Sequence, residues 1–144
     1  MSLNQPSDAD LLARLAAEGV SLLLLQADAT VFKSRAPGVR PLLELVDRFP
    51  EGTAGATAVD RLVGGCAARV FVLLRVGRVV ADVMSEPGRR VLEQNNTPHS
   101  FRRLIAQVRN RDNTDVCPFE KLSEQHPDPV QLIQAIRRRL HPDA

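Results

Sequence analysis

Apolar residues along this chain fall into short clusters whose spacing alternates between helical and strand-like. Leu11, Leu12, Leu15 and Ala16 share one helical stripe, which Ser7 or Asp8 can cap and Gly19 stops. Val20 to Gln26 is a continuous apolar run of strand length, and a tight turn at Ala27-Asp28-Ala29 leads into Thr30 to Lys33, which predicts a hairpin. After a loop at Ser34 to Gly38, Pro41 sits in the first turn of a helix carrying Leu42, Leu45, Val46 and Phe49. Pro50 to Gly55 breaks the chain. A short strand over Ala56 to Val59 is then expected to lead into a helix from about Asp60 to Arg75. Its stripe is Leu62, Val63, Cys66, Ala67, Val70, Phe71 and Leu74, and its small residues predict the most buried helix.

Arg78 to Met84 reads as a strand, and Ser85 caps a helix running to about Gln94. Phe101, Leu104, Ile105 and Val108 predict another short helix, with a strand around His99 to Phe101 as the alternative. A short helix is expected from Cys117. A last one, capped by Asp128 with Pro129 in its first turn, buries Val130, Ile133, Ile136 and Leu140. Strands alternating with helices imply a sheet covered on both faces. The expected fold class is α/β: one three-layer α/β/α sandwich with a mixed sheet over 1–144, of which 1–7 are expected to be disordered.

Composition narrows the function classes. Hydrophobic residues make up 44% and charged residues 25%, a globular balance. No apolar run reaches the roughly 18 residues of a membrane helix, and no signal-like segment opens the chain, so no membrane and a cytoplasmic location are expected. The net charge of +2 is too balanced to announce a nucleic-acid binder. The later half is rich in Arg, but stacking on bases needs aromatics, and there is no Trp or Tyr and only five Phe. Cys66 and Cys117 make no disulfide framework. His99, His126 and His141 share no metal-ligand spacing, so neither a metal nor a cofactor is expected.

The densest chemistry lies in Asn110-Arg111-Asp112-Asn113-Thr114-Asp115-Val116-Cys117-Pro118-Phe119-Glu120. Amide, guanidinium, carboxylate, hydroxyl and thiol groups crowd together there, and such a cluster either orders a loop or builds a site. Cys117 before Pro118 places a thiol at the positive end of a helix dipole, which favours thiolate; Arg111 or His99 is the candidate cation or base beside it. Glu120 fits a capping box with Cys117. Asp60 and Glu86 are expected at helix starts directly after strands, where ligands of open α/β sheets bind, although dipole-end acids serve as caps just as well. Gly38 before Pro41 offers free N–H groups to an anion. The competing account makes Arg111 and Asp112 an ion pair or Asx turn, Asn110 and Thr114 turn formers, and Cys66 a core residue.

Three segments carry a resemblance: Ser34 to Leu45, Ala58 to Ala68, and Asn110 to Glu120 with Ser85-Glu86-Pro87 before it. Together they resemble a family of small uncharacterised bacterial and archaeal proteins with a cytidine deaminase-like fold. The resemblance implies that fold and no established activity. Zinc deaminases place His/Cys-x-Glu at one helix start and Pro-Cys-x-x-Cys at the next, the Glu moving protons for a metal-activated water. Aligned here, Asp60 approximates the carboxylate, Ala58 stands at the first ligand position, and Gly88 and Val91 replace the cysteines. The family pattern also places lysines at the positions of Arg61 and Gly65, of which Arg61 keeps the cation. The implied site is zinc-independent, with Cys117, Asp112 and Asp60 as candidate catalytic groups. Arg61, Glu86, Asn110, Arg111, Thr114, Glu120 and Gly38 are its candidate ligand contacts. A nucleotide-like or other small anionic metabolite is the expected ligand, and enzyme status stays open. The alternative is a non-catalytic scaffold or self-associating module.

Overall fold

The computed structural model describes residues 6–142. Of the segment expected to be disordered, 1–5 lie outside the described residues, whereas Ser7 is placed and caps a helix. Its Oγ accepts from the Asp10 N–H (3.1 Å), and the Asp10 carboxylate accepts from the Ser7 N–H (3.2 Å), a complete capping box. The elements run α1 (Asp8–Glu18), β1 (Leu22–Gln26), β2 (Ala29–Ser34), α2 (Arg40–Arg48), β3 (Thr57–Val63) and α3 (Gly65–Leu73). They continue as β4 (Arg78–Ser85), α4 (Glu86–Gln94), β5 (His99–Ile105), α5 (Pro118–Gln125) and α6 (Pro129–Leu140). This is an α/β protein with a five-stranded mixed sheet in the order β2-β1-β3-β4-β5. β1 pairs antiparallel with β2 and β3, and β3, β4 and β5 run parallel.

The unbroken apolar run of β1 follows from its place inside the sheet. Leu22 and Leu24 enter the large core on one face, and Leu23 and Leu25 enter a second core beneath α1. The hairpin turns on Ala27 (φ 49°) and Asp28 (φ 68°), a two-residue loop with both residues left-handed. Beneath α1, Leu11 and Leu15 meet Val20, Val59 and Val80. Ala16, expected on the same stripe, is exposed. α3 is the hub of the other face, as its small residues predict: Cys66, Ala67, Ala68, Val70 and Phe71 are all buried.

Three expectations change. The helix predicted from Asp60 begins only at Gly65, because Asp60 to Val63 stay in the sheet, paired through Asp60↔Ala81, Leu62↔Val83 and Val63↔Met84. Asp60 is therefore a strand residue, and the alignment of Ala58-Val59-Asp60 with a helix start lapses. The helix predicted over Phe101 to Val108 is not formed; the alternative strand around His99 to Phe101 holds and runs on to Ile105 as edge strand β5. An edge strand faces solvent along much of its length and need not alternate strictly, so Phe101 is 37% exposed and the apolar spacing mimics a helix. In α6 the buried face is Leu132, Ile133, Ala135 and Ile136, while Val130 is 49% exposed, and Asp128 holds the cap position without a side-chain bond.

Candidate functional site

The carboxyl end of β3 opens into a cavity of about 330 Å³. β3 supplies Asp60, Arg61 and Leu62, the β2–α2 connection supplies Gly38, and the start of α5 supplies Cys117 and Glu120. Apolar wall comes from Leu42 and Phe119 among others. Mostly apolar walls with a few converging polar groups are what small-molecule sites commonly present.

Glu120 organises the floor. One carboxylate oxygen accepts from the Gly65 N–H (2.7 Å) and the other from the Cys66 N–H (3.2 Å), so the side chain of α5 caps α3. The capping box expected with Cys117 is not formed, because the carboxylate is committed across the fold. Gly64 makes this approach possible: a Cβ there would lie 2.5 Å from the Glu120 carboxylate, so no other residue fits without displacing it. Burial raises the Glu120 pKa, and the two backbone N–H bonds act against that rise.

Asp60 faces the same cavity. Desolvation pushes its carboxyl up to about 7, opposed by backbone N–H groups of Leu62 and Arg61 and by the Arg61 charge. Asp60 thus titrates near neutrality, where a carboxyl can hold or release a proton. The Cys66 thiol is raised first by burial and next by the Glu120 charge, which keeps it protonated and inert. Cys117 is half-buried and stands at the cap position of α5, as expected.

The rest of the polar cluster stays outside. Asn110 accepts from the Thr114 N–H (2.9 Å) and the Asp115 N–H (3.4 Å) and donates to Thr114 Oγ1 (3.1 Å), while Asn113 takes a left-handed φ of 56°. Arg111 and Asp112 are exposed, take no partner among the described residues, and do not pair with each other. Asn110 and Thr114 are therefore turn formers here. Asp115 pairs with Lys121, which holds its carboxyl below the ordinary value. Glu86 opens α4 as expected, but its side chain pairs with Arg89 (2.9 Å). His99 lies at the amino end of β5, the opposite end of the parallel strands from the cavity.

Residues 10–140 match the family described as a domain of unknown function, DUF1893. The chain belongs to the DUF1893 family. Among solved structures it is similar to a DUF1893 family protein, TM1506 from Thermotoga maritima. Identity is 27%, with 89% of this chain and 86% of that chain covered, at a TM-score of 0.81. No curated protein matches. This DUF1893 chain shares its fold with a relative whose description names no activity.

The zinc question can be put to the donor set. The helix starts in this DUF1893 protein are Gly64-Gly65-Cys66 and Glu86-Pro87-Gly88. A Cβ at Gly88 would lie 2.6 Å from the Val63 carbonyl oxygen, so no ligating side chain fits there. Among the described residues no three His, Cys, Asp or Glu side chains cluster as a metal site. The residues present do not fit a deaminase zinc. Also among the described residues, no helix is long and apolar enough to cross a membrane.

Sequence reasoning counts Gly64 among the small residues that allow a close approach, which holds, but misses that the approaching group is the Glu120 carboxylate. The paired glycines at a strand-to-helix junction were the available signal, since such a pair commonly marks a close approach.

Proposed function

We propose that this protein binds a nucleotide-like or other small anionic metabolite in the cavity at the end of β3, on a cytidine deaminase-like fold that works without zinc. The strand order, with an antiparallel hairpin beside three parallel strands, supports the deaminase-like reading. One observation carries the site. Asp60, Arg61, Cys117 and Glu120, from two well-separated stretches of the sequence, line one cavity of about 330 Å³. Glu120 already occupies the N–H groups of α3, so an anionic group is directed to the other side, toward Arg61 and the chain at Gly38. The opposite end of the ligand then meets Asp60, which recognises an N–H or O–H donor such as a base edge. Asp60 serves as the acid–base group and Cys117 as the nucleophile if the bound molecule reacts.

A thermal-shift screen of nucleobases, nucleosides, nucleotides and sugar phosphates tests this reading. A ligand at 100 times its Kd adds about 2.7 kcal/mol, a shift of several degrees. The expected hit is lost in Asp60→Asn and weakened in Arg61→Gln. No hit across the panel, or one indifferent to both changes, overturns the reading.

A second reading, self-association, draws on Leu62 and Phe101, which are 40% and 37% exposed. Light scattering of Phe101→Ser against the parent chain decides it, since a monomer in both ends that reading.

A further inference from the structure

A smaller polar cavity of about 110 Å³ lies between α3, α4 and α5, bordered by Arg69, Arg90, Gln94, Ser123 and Glu124. We infer that it binds a tetrahedral oxyanion of the phosphate type, held by Arg69, Arg90 and Ser123. The inference is independent of the proposed function.

The donors there are in surplus. Arg69 gives Nε–H to Ser123 Oγ (2.9 Å) and one Nη1–H to the Pro127 carbonyl (3.2 Å). A guanidinium has five N–H donors, so three of the Arg69 donors remain. Ser123 is only 2% exposed, and its oxygen is used as an acceptor from Arg69, which leaves its own O–H free to donate. Arg90, from the facing helix, takes no partner among the described residues and is exposed. Gln94 adds an amide on the same side. Two guanidinium groups therefore border the cavity against the Glu124 carboxylate, and the nearby Glu120 carboxylate, which the Arg69 charge also reaches, is committed to the Gly65 and Cys66 N–H groups.

Shape agrees with charge. The cavity has about a third of the volume of the one at β3, a size that suits a compact oxyanion. Gly65 keeps the wall open, because a Cβ there would press on Ser123 Oγ at 3.1 Å. Arg69 is also pre-positioned: its two bonds to Ser123 and Pro127 fix the guanidinium before any ligand arrives.

The test titrates inorganic phosphate into the full chain, with chloride holding ionic strength constant, and reads thermal denaturation and calorimetric binding. The expected result is a rise in Tm. Arg90→Gln removes no hydrogen bond within the described fold and is expected to weaken phosphate binding about tenfold, the size of one lost charged hydrogen bond. Glu124→Gln is expected to tighten it by removing the competing carboxylate. Arg61→Gln, which removes the cation assigned to an anion in the cavity at β3, leaves the phosphate response unchanged, which separates the two sites. Methyl phosphate run alongside names the source: binding equal to phosphate means an ester end, weaker binding means the free ion. No rise in Tm, or the same rise in Arg90→Gln, overturns the inference.

Discussion

The two halves of one polar segment behave in opposite ways. Asn110 to Asp115 turns inward on itself, satisfying its own backbone through the Asn110 side chain and leaving Arg111 and Asp112 to solvent. Cys117 to Glu120, a few residues later, reaches across the fold to cap α3 and to line the cavity. The half richer in polar groups is the one that closes on itself, so density of function-bearing side chains does not mark a site. What marks it is whether those groups close locally or are held apart for something distant.

The comparison breaks most sharply at Glu120. Glu120→Ala orphans two amide N–H groups in a half-buried position, each costing about 1–3 kcal/mol, so urea denaturation is expected to show a loss of about 2–4 kcal/mol. Gly64→Ala acts on the same contact from the other side, with an expected loss of about 1–3 kcal/mol from overpacking. If both are neutral, the clasp contributes nothing and the two halves are alike.

The cavity that one half lines and the turn that the other half forms also differ in the sign of their pH dependence. Asp60, in the cavity, has its pKa raised from 3.8 to about 7, so the folded state binds the extra proton in that window. Its stabilising contribution is complete below about pH 4 and is lost as pH rises through 7. Asp115, in the turn region, is lowered by Lys121, so its contribution is present above its unfolded pKa and is lost as pH falls. Denaturation of the parent chain across this range is expected to show a decline toward pH 7 that Asp60→Asn reduces, the remainder coming from Glu120, whose pKa burial also raises. The Asp115 effect is exposed and is expected to fade in high salt.

Smaller effects sharpen the turn half. Asn110→Ala removes the acceptor for two backbone N–H groups in an exposed loop and is expected to cost about 1 kcal/mol. Arg111→Ala and Asp112→Ala are expected to stay within about 0.5 kcal/mol in denaturation and to leave ligand affinity untouched. A large loss in either would show that this turn serves more than itself.

Much of the architecture was legible. The capping residue Ser7, the stop at Gly19, the apolar run of β1 and the capped start of α4 at Ser85 are local signals, and each holds in the structure. The helix–strand errors at Asp60 to Val63 and Phe101 to Ile105 share a cause. A short apolar series at mixed spacing satisfies both periods, and only pairing with β4 decides between them. The site was half legible. Cys117, Asp60, Gly38 and Glu120 were read as candidates on local chemistry and Arg61 on the family resemblance, and the fold brings these five to one cavity. Glu86, Asn110, Arg111, Asp112 and Thr114 looked no different in one dimension, because nothing in a local pattern says whether a side chain's partner is four residues away or fifty.

The Glu120 clasp also sets an order of events. α3 starts 55 residues before the carboxylate that completes it. At a synthesis rate of about 5–20 residues per second, the nascent hub helix waits roughly 3 to 11 s with its first amides bare. Over that interval the strands before it can pair, but the helix at the centre of the large core has no finished end. The start of α5 therefore acts as a key turned late, and a ribosome paused just before Pro118 holds every strand of the sheet beside a hub helix that is still unlocked.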